Sequence, residues 1–205
     1  MDQSNELFEI AINLEPEDSS IYYWKAKSYR EFNIDLGQSM NLINTAIEMD
    51  RSAPAYFIER GLLYLTFGDI DKAEKDLLSS LESNPDQAYV INYLAYSWIE
   101  KGMKISQSLE MLERANNLRS NDPYIIDSLG WALFKLERYD ESKNYLQSAV
   151  KLMPADPIIN DHYGDVLWKN GNKIQARYFW KYVLNLKETE KDMKENIKDK
   201  LISGL

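Results

Sequence analysis

The chain has 205 residues, 44% hydrophobic and 28% charged, a balance that supports a packed core and is too apolar for a disordered chain. With 24 Lys and Arg against 33 Asp and Glu the net charge is −9, which repels a phosphate backbone and removes nucleic acid as a partner. There is no cysteine, so disulfides, thiolate metal sites and cysteine nucleophiles are excluded together, while cytoplasm and periplasm both stay open.

The chain starts Met1-Asp2-Gln3-Ser4-Asn5-Glu6, with neither the basic nor the apolar region of a secretion signal. Leu7, Ala11 and Leu14 then mark one helix at about residues 3–14. Residues 1–18 read as half of a repeat, a second helix without its first, which predicts a fragment of something longer. The longest apolar runs, such as Gly61 to Leu65, fall far below the roughly 20 residues that a membrane-spanning helix needs. Membrane insertion by this segment is therefore not expected.

Small residues return at a fixed stride. Ala26, Gly61, Ala95, Gly130 and Gly164 are separated by 35, 34, 35 and 34 residues. Ala11, Ala46, Ser80, Ala115, Ala149 and Val183 step by 35, 34, 35, 34 and 34. A small residue on each of two helices is what close antiparallel packing requires. Apolar residues fall around these anchors at helical spacing, as in Ile126, Leu129 and Leu133, then Leu146, Ala149 and Val150. Each unit is predicted to be a helix pair.

The punctuation agrees. Pro16, Pro85 and Pro154 lie where the second helix of a pair must stop, and Pro54, Pro123 and Pro157 lie in the first turn of the next first helix. Gly68, Gly102 and Gly171 fall between the two helices of a pair, where a left-handed residue is wanted. The phase gives five repeats at 19–53, 54–87, 88–122, 123–156 and 157–190. A last helix over 191–205 follows, with Met193, Ile197 and Leu201 covering the final apolar face as a natural C-terminal cap. The Lys- and Glu-rich stretch from Lys187 to Lys200 reads as a solvated helix face with i, i+4 ion pairs.

Ser128-Leu129-Gly130-Trp131-Ala132-Leu133, then Tyr139, Tyr145-Leu146-Gln147-Ser148-Ala149-Val150 and Pro154, resemble the tetratricopeptide pattern over nearly the whole chain. The resemblance implies an all-α fold, a right-handed α-α superhelix of antiparallel helix pairs. Ser39, Ser108 and Ser142 stand where Ala is expected, and Val183 replaces another small residue; these departures are expected to soften local packing and no more. Asp127-Ser128-Leu129-Gly130-Trp131 and His162-Tyr163-Gly164-Asp165-Val166-Leu167-Trp168 further resemble the last repeats of tetratricopeptide proteins of proteobacterial envelopes, among them protease-adaptor lipoproteins. That likeness implies a scaffold in the periplasm or at the envelope; without it the compartment would be cytoplasmic.

In stacked pairs the first helices line the concave side. Their second, fifth, ninth and twelfth positions give Tyr89, Asn92, Tyr96 and Ile99, then Tyr124, Asp127, Trp131 and Phe134, then Ile158, Asp161, Asp165 and Trp168. Asn92, Asp127 and Asp161 form a polar ladder able to bond the amides of an extended peptide, and the aromatics supply rigid contact area. The predicted function is a scaffold or adaptor that binds a neutral or basic, apolar-rich protein segment in an aromatic, acidic groove. The bland alternative is that these aromatics pack against the neighbouring first helix. Trp98 and Trp180 fall on core positions. Lys27 and Arg30 are basic, but the later repeats offer Asn and Asp in the groove, so a clamp for a terminal carboxylate is not expected.

A second function remains open: a self-assembly module stacking through the open N-terminal helix or the convex face, with a homodimer as one outcome. Catalysis is not expected. His162, flanked by Asp161 and Asp165, has no second histidine or cysteine to complete a metal site. Gly171-Asn172-Lys173 is not a phosphate loop, and Ser128 lacks the glycines of a nucleophile elbow. No cofactor is expected.

Overall fold

The computed structural model describes residues 2–205. Its helices run α1 (Asp2–Leu14), α2 (Ser19–Glu31), α3 (Leu36–Met49), α4 (Pro54–Thr66), α5 (Ile70–Ser83), α6 (Ala88–Glu100), α7 (Ile105–Leu118), α8 (Pro123–Lys135), α9 (Tyr139–Leu152), α10 (Pro157–Lys169), α11 (Lys173–Asn185) and α12 (Lys191–Ser203). Among the described residues there is no strand, and no helix is long and apolar enough to cross a membrane. Contacts group the chain into two units, residues 1–90 and 91–205.

Local chemistry sets the helix ends. Carboxylates of Asp18, Asp35, Asp69, Asp122 and Asp156 accept from backbone amides in the first turns of α2, α3, α5, α8 and α10, satisfying donors that no intrahelical carbonyl can reach. Pro54, Pro123 and Pro157 stand in the first turns of α4, α8 and α10, as expected. Every first helix of a pair is followed by a left-handed residue, Asn33, Gly68, Gly102, Glu137 or Gly171, and the turn from α6 to α7 adds a second, Lys104. In the α8 turn Glu137 N–H donates to Phe134 and Arg138 N–H donates across to Leu133 at 2.9 Å, a Schellman closure. Glycine was legible at three of these turns; Asn33 and Glu137 take the same conformation with a side chain.

In the first unit α2 packs on α3 and α4 on α5. Ala26, Ile43, Ala46, Ile47, Tyr56 and Leu63 form its core. Arg30 and Glu59 join α2 to α4, with Nε to Oε1 at 2.5 Å, and Arg60 forks onto Asp76 across α4 and α5 at 2.7 and 2.9 Å.

In the second unit α8 packs on α9, α10 on α11, and α12 on α11. Ile197 is fully buried with Trp180, Val183 and Leu146, and Met193 and Leu201 pack beside it, so α12 lays its apolar stripe on α11. Trp98 and Trp180 are buried as expected. Ile99 is a correction: instead of facing a groove it is fully buried with Leu109, Leu112 and Leu129.

The small-residue anchors do steric work. A Cβ on Gly130 would lie 2.7 Å from Leu146 Cγ and 3.2 Å from the Leu146 backbone nitrogen; one on Gly164 would lie 2.5 Å from Trp180 Nε1. The serines at the alanine positions add to this packing. Ser39 Oγ donates to Ala26 O and Ser142 Oγ to Gly130 O, each at 2.7 Å, fastening one helix of a pair to the other with about 1 kcal/mol apiece. The expectation that serine merely softens packing is therefore corrected at these two sites. At Ser108 the hydroxyl is buried without a partner.

Two stability outcomes follow. Gly164→Ala should cost about 2 kcal/mol or more by overpacking, and more than Gly61→Ala, whose Cβ would press on the flexible Leu77 side chain at 2.9 Å and stand at ordinary contact, 3.6 Å, from Ala73 O. Glu137→Gly should stabilise by about 1 kcal/mol by relieving a left-handed residue. Urea unfolding of the variants checks both, and equal losses at Gly164 and Gly61 would contradict the first.

Candidate functional site

The second unit gathers its polar chemistry on the first-helix side of α8 and α10. Asp127 leaves α8 one repeat before His162 on α10, and its two carboxylate oxygens lie 3.1 and 3.0 Å from His162 Nδ1. The imidazole stacks on Trp131, with centroids 3.9 Å apart and planes within 11°. Trp131 also stacks on Phe134 at 4.6 Å, and its Nε1 donates to Glu100 at 2.8 Å. One turn from His162, Lys200 of α12 places its ammonium 2.8 Å from both oxygens of Asp161 and both of Asp165. Trp180 Nε1 donates to Asp165 at 2.9 Å.

Asp127, Asp165, His162, Trp131 and Lys200 are all buried. Charges at that depth persist only when paired and hydrogen-bonded, and these are. Burial alone would pull the His162 pKa down; the Asp127 charge and hydrogen bond, with Asp161 and Asp165, outweigh it and raise the imidazole above its ordinary value. For Asp165, burial and then the neighbouring Asp161 charge push the carboxyl up to about 6, against the pull of Lys200 and His162. Burial, followed by the charges of Glu100, Asp127, Asp156 and Asp161, holds the Tyr96 hydroxyl protonated far above the usual phenol range.

Of the residues expected to face a groove, Asn92, Asp127, Trp131 and Asp165 are buried, and Tyr96, Phe134, Asp161 and Trp168 are half-buried. Tyr124 and Ile158 are exposed, and Tyr89 is exposed in the first unit. The ladder of Asn92, Asp127 and Asp161 is engaged internally at two rungs, by His162 and Lys200; at the third the Asn92 side-chain oxygen is buried without a partner. Trp168 lies 5.3 Å from Trp180 and carries Lys173 and Arg177 over its ring at 5.0 and 5.3 Å.

Sequence reasoning missed the weight of two residues. Lys200 is a correction: it is a buried partner of two aspartates and no part of a solvated face. The signal was present, since Lys200 follows Ile197 by three residues and Met193 by seven, on the stripe that meets the core. The Nδ1 partner of His162 is Asp127, one repeat away, and neither of the flanking Asp161 and Asp165.

The geometry sits within a recognisable frame. A family model described as tetratricopeptide repeat matches residues 3–189. A TPR repeat-containing protein of Pseudomonas aeruginosa is 29% identical over 106 residues, 52% of this chain and 18% of that protein. Bacteriophage adsorption protein A of Escherichia coli is 26% identical over 132 residues, 64% of this chain and 13% of that protein. The chain thus spans less than a fifth of the length of either relative. Among solved structures, the thermophilic TPR protein TTC0263 of Thermus thermophilus matches with a TM-score of 0.75 at 13% identity, over 90% of this chain and 99% of that one. YrrB, described as a TPR protein with an unusual peptide-binding site, matches with a TM-score of 0.63 at 18% identity, over 94% and 97%. At these identities the structural matches establish the fold.

A group whose folded pKa is raised contributes stability that is complete below its unfolded pKa and lost as pH rises through the folded one. His162 and Asp165 are both raised, so the Asp165 contribution declines as pH climbs from 3.8 through about 6, and the His162 contribution declines from 6.5 through its raised midpoint. His162 is the sole histidine, so one NMR resonance follows it. Its midpoint should exceed that of free histidine and drop in Asp127→Asn, which should also lose about 3 kcal/mol by leaving a buried group unpaired. That loss should shrink as pH rises through the wild-type midpoint. A midpoint at or below the free value in the folded chain would refute the assignment.

Proposed function

We propose that this chain, which belongs to the tetratricopeptide repeat family, is a protein-interaction scaffold that binds an extended protein segment on the first-helix side of α8 and α10 and of residues 91–100. One observation carries the reading: Tyr93, Tyr124 and Ile158, 40, 47 and 49% exposed, stand as large apolar groups on the same helices that hold the buried Asn92, Asp127 and Asp165. Tyr124 and Ile158 hold the same register position 34 residues apart, so an extended segment crossing the helices meets one after the other. Half-buried Tyr96 continues the surface inward.

Asn92, Asp127, Trp131 and Asp165 form the floor, stiffened by the His162 and Lys200 contacts, so little side-chain entropy is lost on binding. Phe134 and Trp168 flank it at the twelfth position of α8 and α10. Glu100, Asp156 and Asp161 lie near enough to act on the Tyr96 hydroxyl by charge, which supports a negative sign for this face. A neutral or basic, apolar-rich segment fits that chemistry, and the description of YrrB as peptide-binding supports the ligand class. Tyr89 offers a separate exposed aromatic in the first unit.

A second reading, self-association through α1, is favoured by Leu7, Ile10 and Leu14, which share one stripe of that helix and are 67, 55 and 75% exposed.

Selection of short random peptides on the intact chain tests the first reading. Recovered sequences should combine aliphatic or aromatic residues with Lys or Arg. The double variant Tyr124→Ala with Ile158→Ala should bind them at least about tenfold more weakly, roughly 1.4 kcal/mol, with unchanged helicity and Tm. Recovery of acidic peptides, or undiminished binding by the double variant, would defeat the proposal.

A further inference from the structure

Two exposed apolar stripes in this chain carry flanks of opposite charge. On α11, Ile174, Tyr178 and Tyr182 recur at i, i+4 and i+8 and are 88, 65 and 37% exposed. Residues 166–187 around them contain five basic residues, Lys169, Lys173, Arg177, Lys181 and Lys187, and no acidic one. Lys173 and Arg177 lie over Trp168, and Arg177 also donates to the Leu201 carbonyl, at the edge of the stripe; Lys169, Lys181 and Lys187 are exposed. On α1, Leu7, Ile10 and Leu14 recur at i, i+3 and i+7. Residues 1–24 contain six acidic residues and no basic one. Glu9 pairs with Lys25, and Glu6, Glu15 and Glu17 are exposed.

We infer that the α1 stripe of one copy packs on the α11 stripe of another, so that copies of this chain associate head to tail. The inference rests on the second reading above and names what α1 meets. Each stripe is the kind of apolar band, a little over 100° wide or less, that a helix buries against a second helix. The single sign of each flank favours the unlike pairing: α1 against α1 sets acid on acid, and α11 against α11 sets base on base. A single unlike contact leaves one α1 and one α11 free, so association either closes by a second, reciprocal contact or continues to further copies. One helix on one helix is a small interface, at or below about 1,200 Å², so association is weak and concentration-dependent.

Complementary blocking tests it in the intact chain by sedimentation equilibrium. Wild type should gain mass with concentration, more so at low ionic strength. Leu7→Gln with Ile10→Gln, and separately Ile174→Gln with Tyr178→Gln, should each remain monomeric, since the substituted residues are exposed and their loss leaves the fold intact. Mixed in equal amounts, the two variants should form a one-to-one dimer that grows no further. If the α11 variant still assembles while the α1 variant does not, α1 meets some other surface: the head-to-tail inference falls and the second reading stands. A wild type monomeric at all concentrations, or an α1 variant that assembles normally, overturns both. Association that strengthens with added salt overturns the charge pairing on which the inference depends.

Discussion

At Gly164 the backbone of α10 lies against the indole of Trp180 with no room for a single added carbon. The rest of the second unit can be traced outward from that contact. A Trp held so close has its ring fixed, and its Nε1 then reaches Asp165, the residue immediately after the glycine. Asp165, fixed in turn, forms with Asp161 a double carboxylate site into which α12 delivers Lys200. The apolar spacing of Met193, Ile197 and Leu201 brings α12 to the core, and Lys200 travels with it. Steric fit between two helices thus sets the geometry of a charged cluster that neither helix could hold alone.

That cluster gives up much of its solvation to exist. Buried ion pairs add little net stability, and their best-attested use is to fix which partner sits where. Two of them join the first helices of neighbouring repeats: Arg30 of α2 with Glu59 of α4 in the first unit, and Asp127 of α8 with His162 of α10 in the second. A helix slipped by one residue would leave a carboxylate buried and unpaired, a penalty far larger than the loss of a methyl contact. Repeats that share one apolar pattern can pack in several registers with similar hydrophobic gain, so unlike charges at one level each supply discrimination that the apolar pattern lacks. The charges are for placement, and the large apolar residues carry the bulk of cohesion.

The sequence made the period, the pairing of helices and the turn positions legible because each depends on residue types with few alternatives. Proline in a first turn, glycine at Gly68, Gly102 and Gly171, and small residues at the crossings have sharp steric reasons. Depth was not legible in the same way. Helical phase gives the direction in which Trp131 or Asp127 projects, but burial depends on what the next first helix projects back, and His162 covers both. The partner of His162 lies 35 residues away in the sequence, at the fifth register position of α8 against the sixth of α10, so a reading confined to one helix finds only Asp165. Lys200 was misread for a related reason: charge composition suggested solvent, while its spacing from Ile197 placed it on the buried stripe.

The internal use of these charges also narrows what is left for a ligand. Had Asp127, Asp161 and Asp165 been solvent-facing, an incoming segment could have bonded to carboxylates directly, and arginine or lysine alone would have sufficed for affinity. With Lys200 and the raised imidazole of His162 set among them, the carboxylates are engaged in internal pairs, and Asp127 and Asp161 act on the Tyr96 hydroxyl through charge rather than as bonding partners. A field steers and selects sign, whereas contact area on rigid aromatic and aliphatic groups supplies affinity. If the proposed segment binds here, its affinity therefore rests on the apolar anchors Tyr93, Tyr124 and Ile158, and the internally paired carboxylates set no more than a bias of sign.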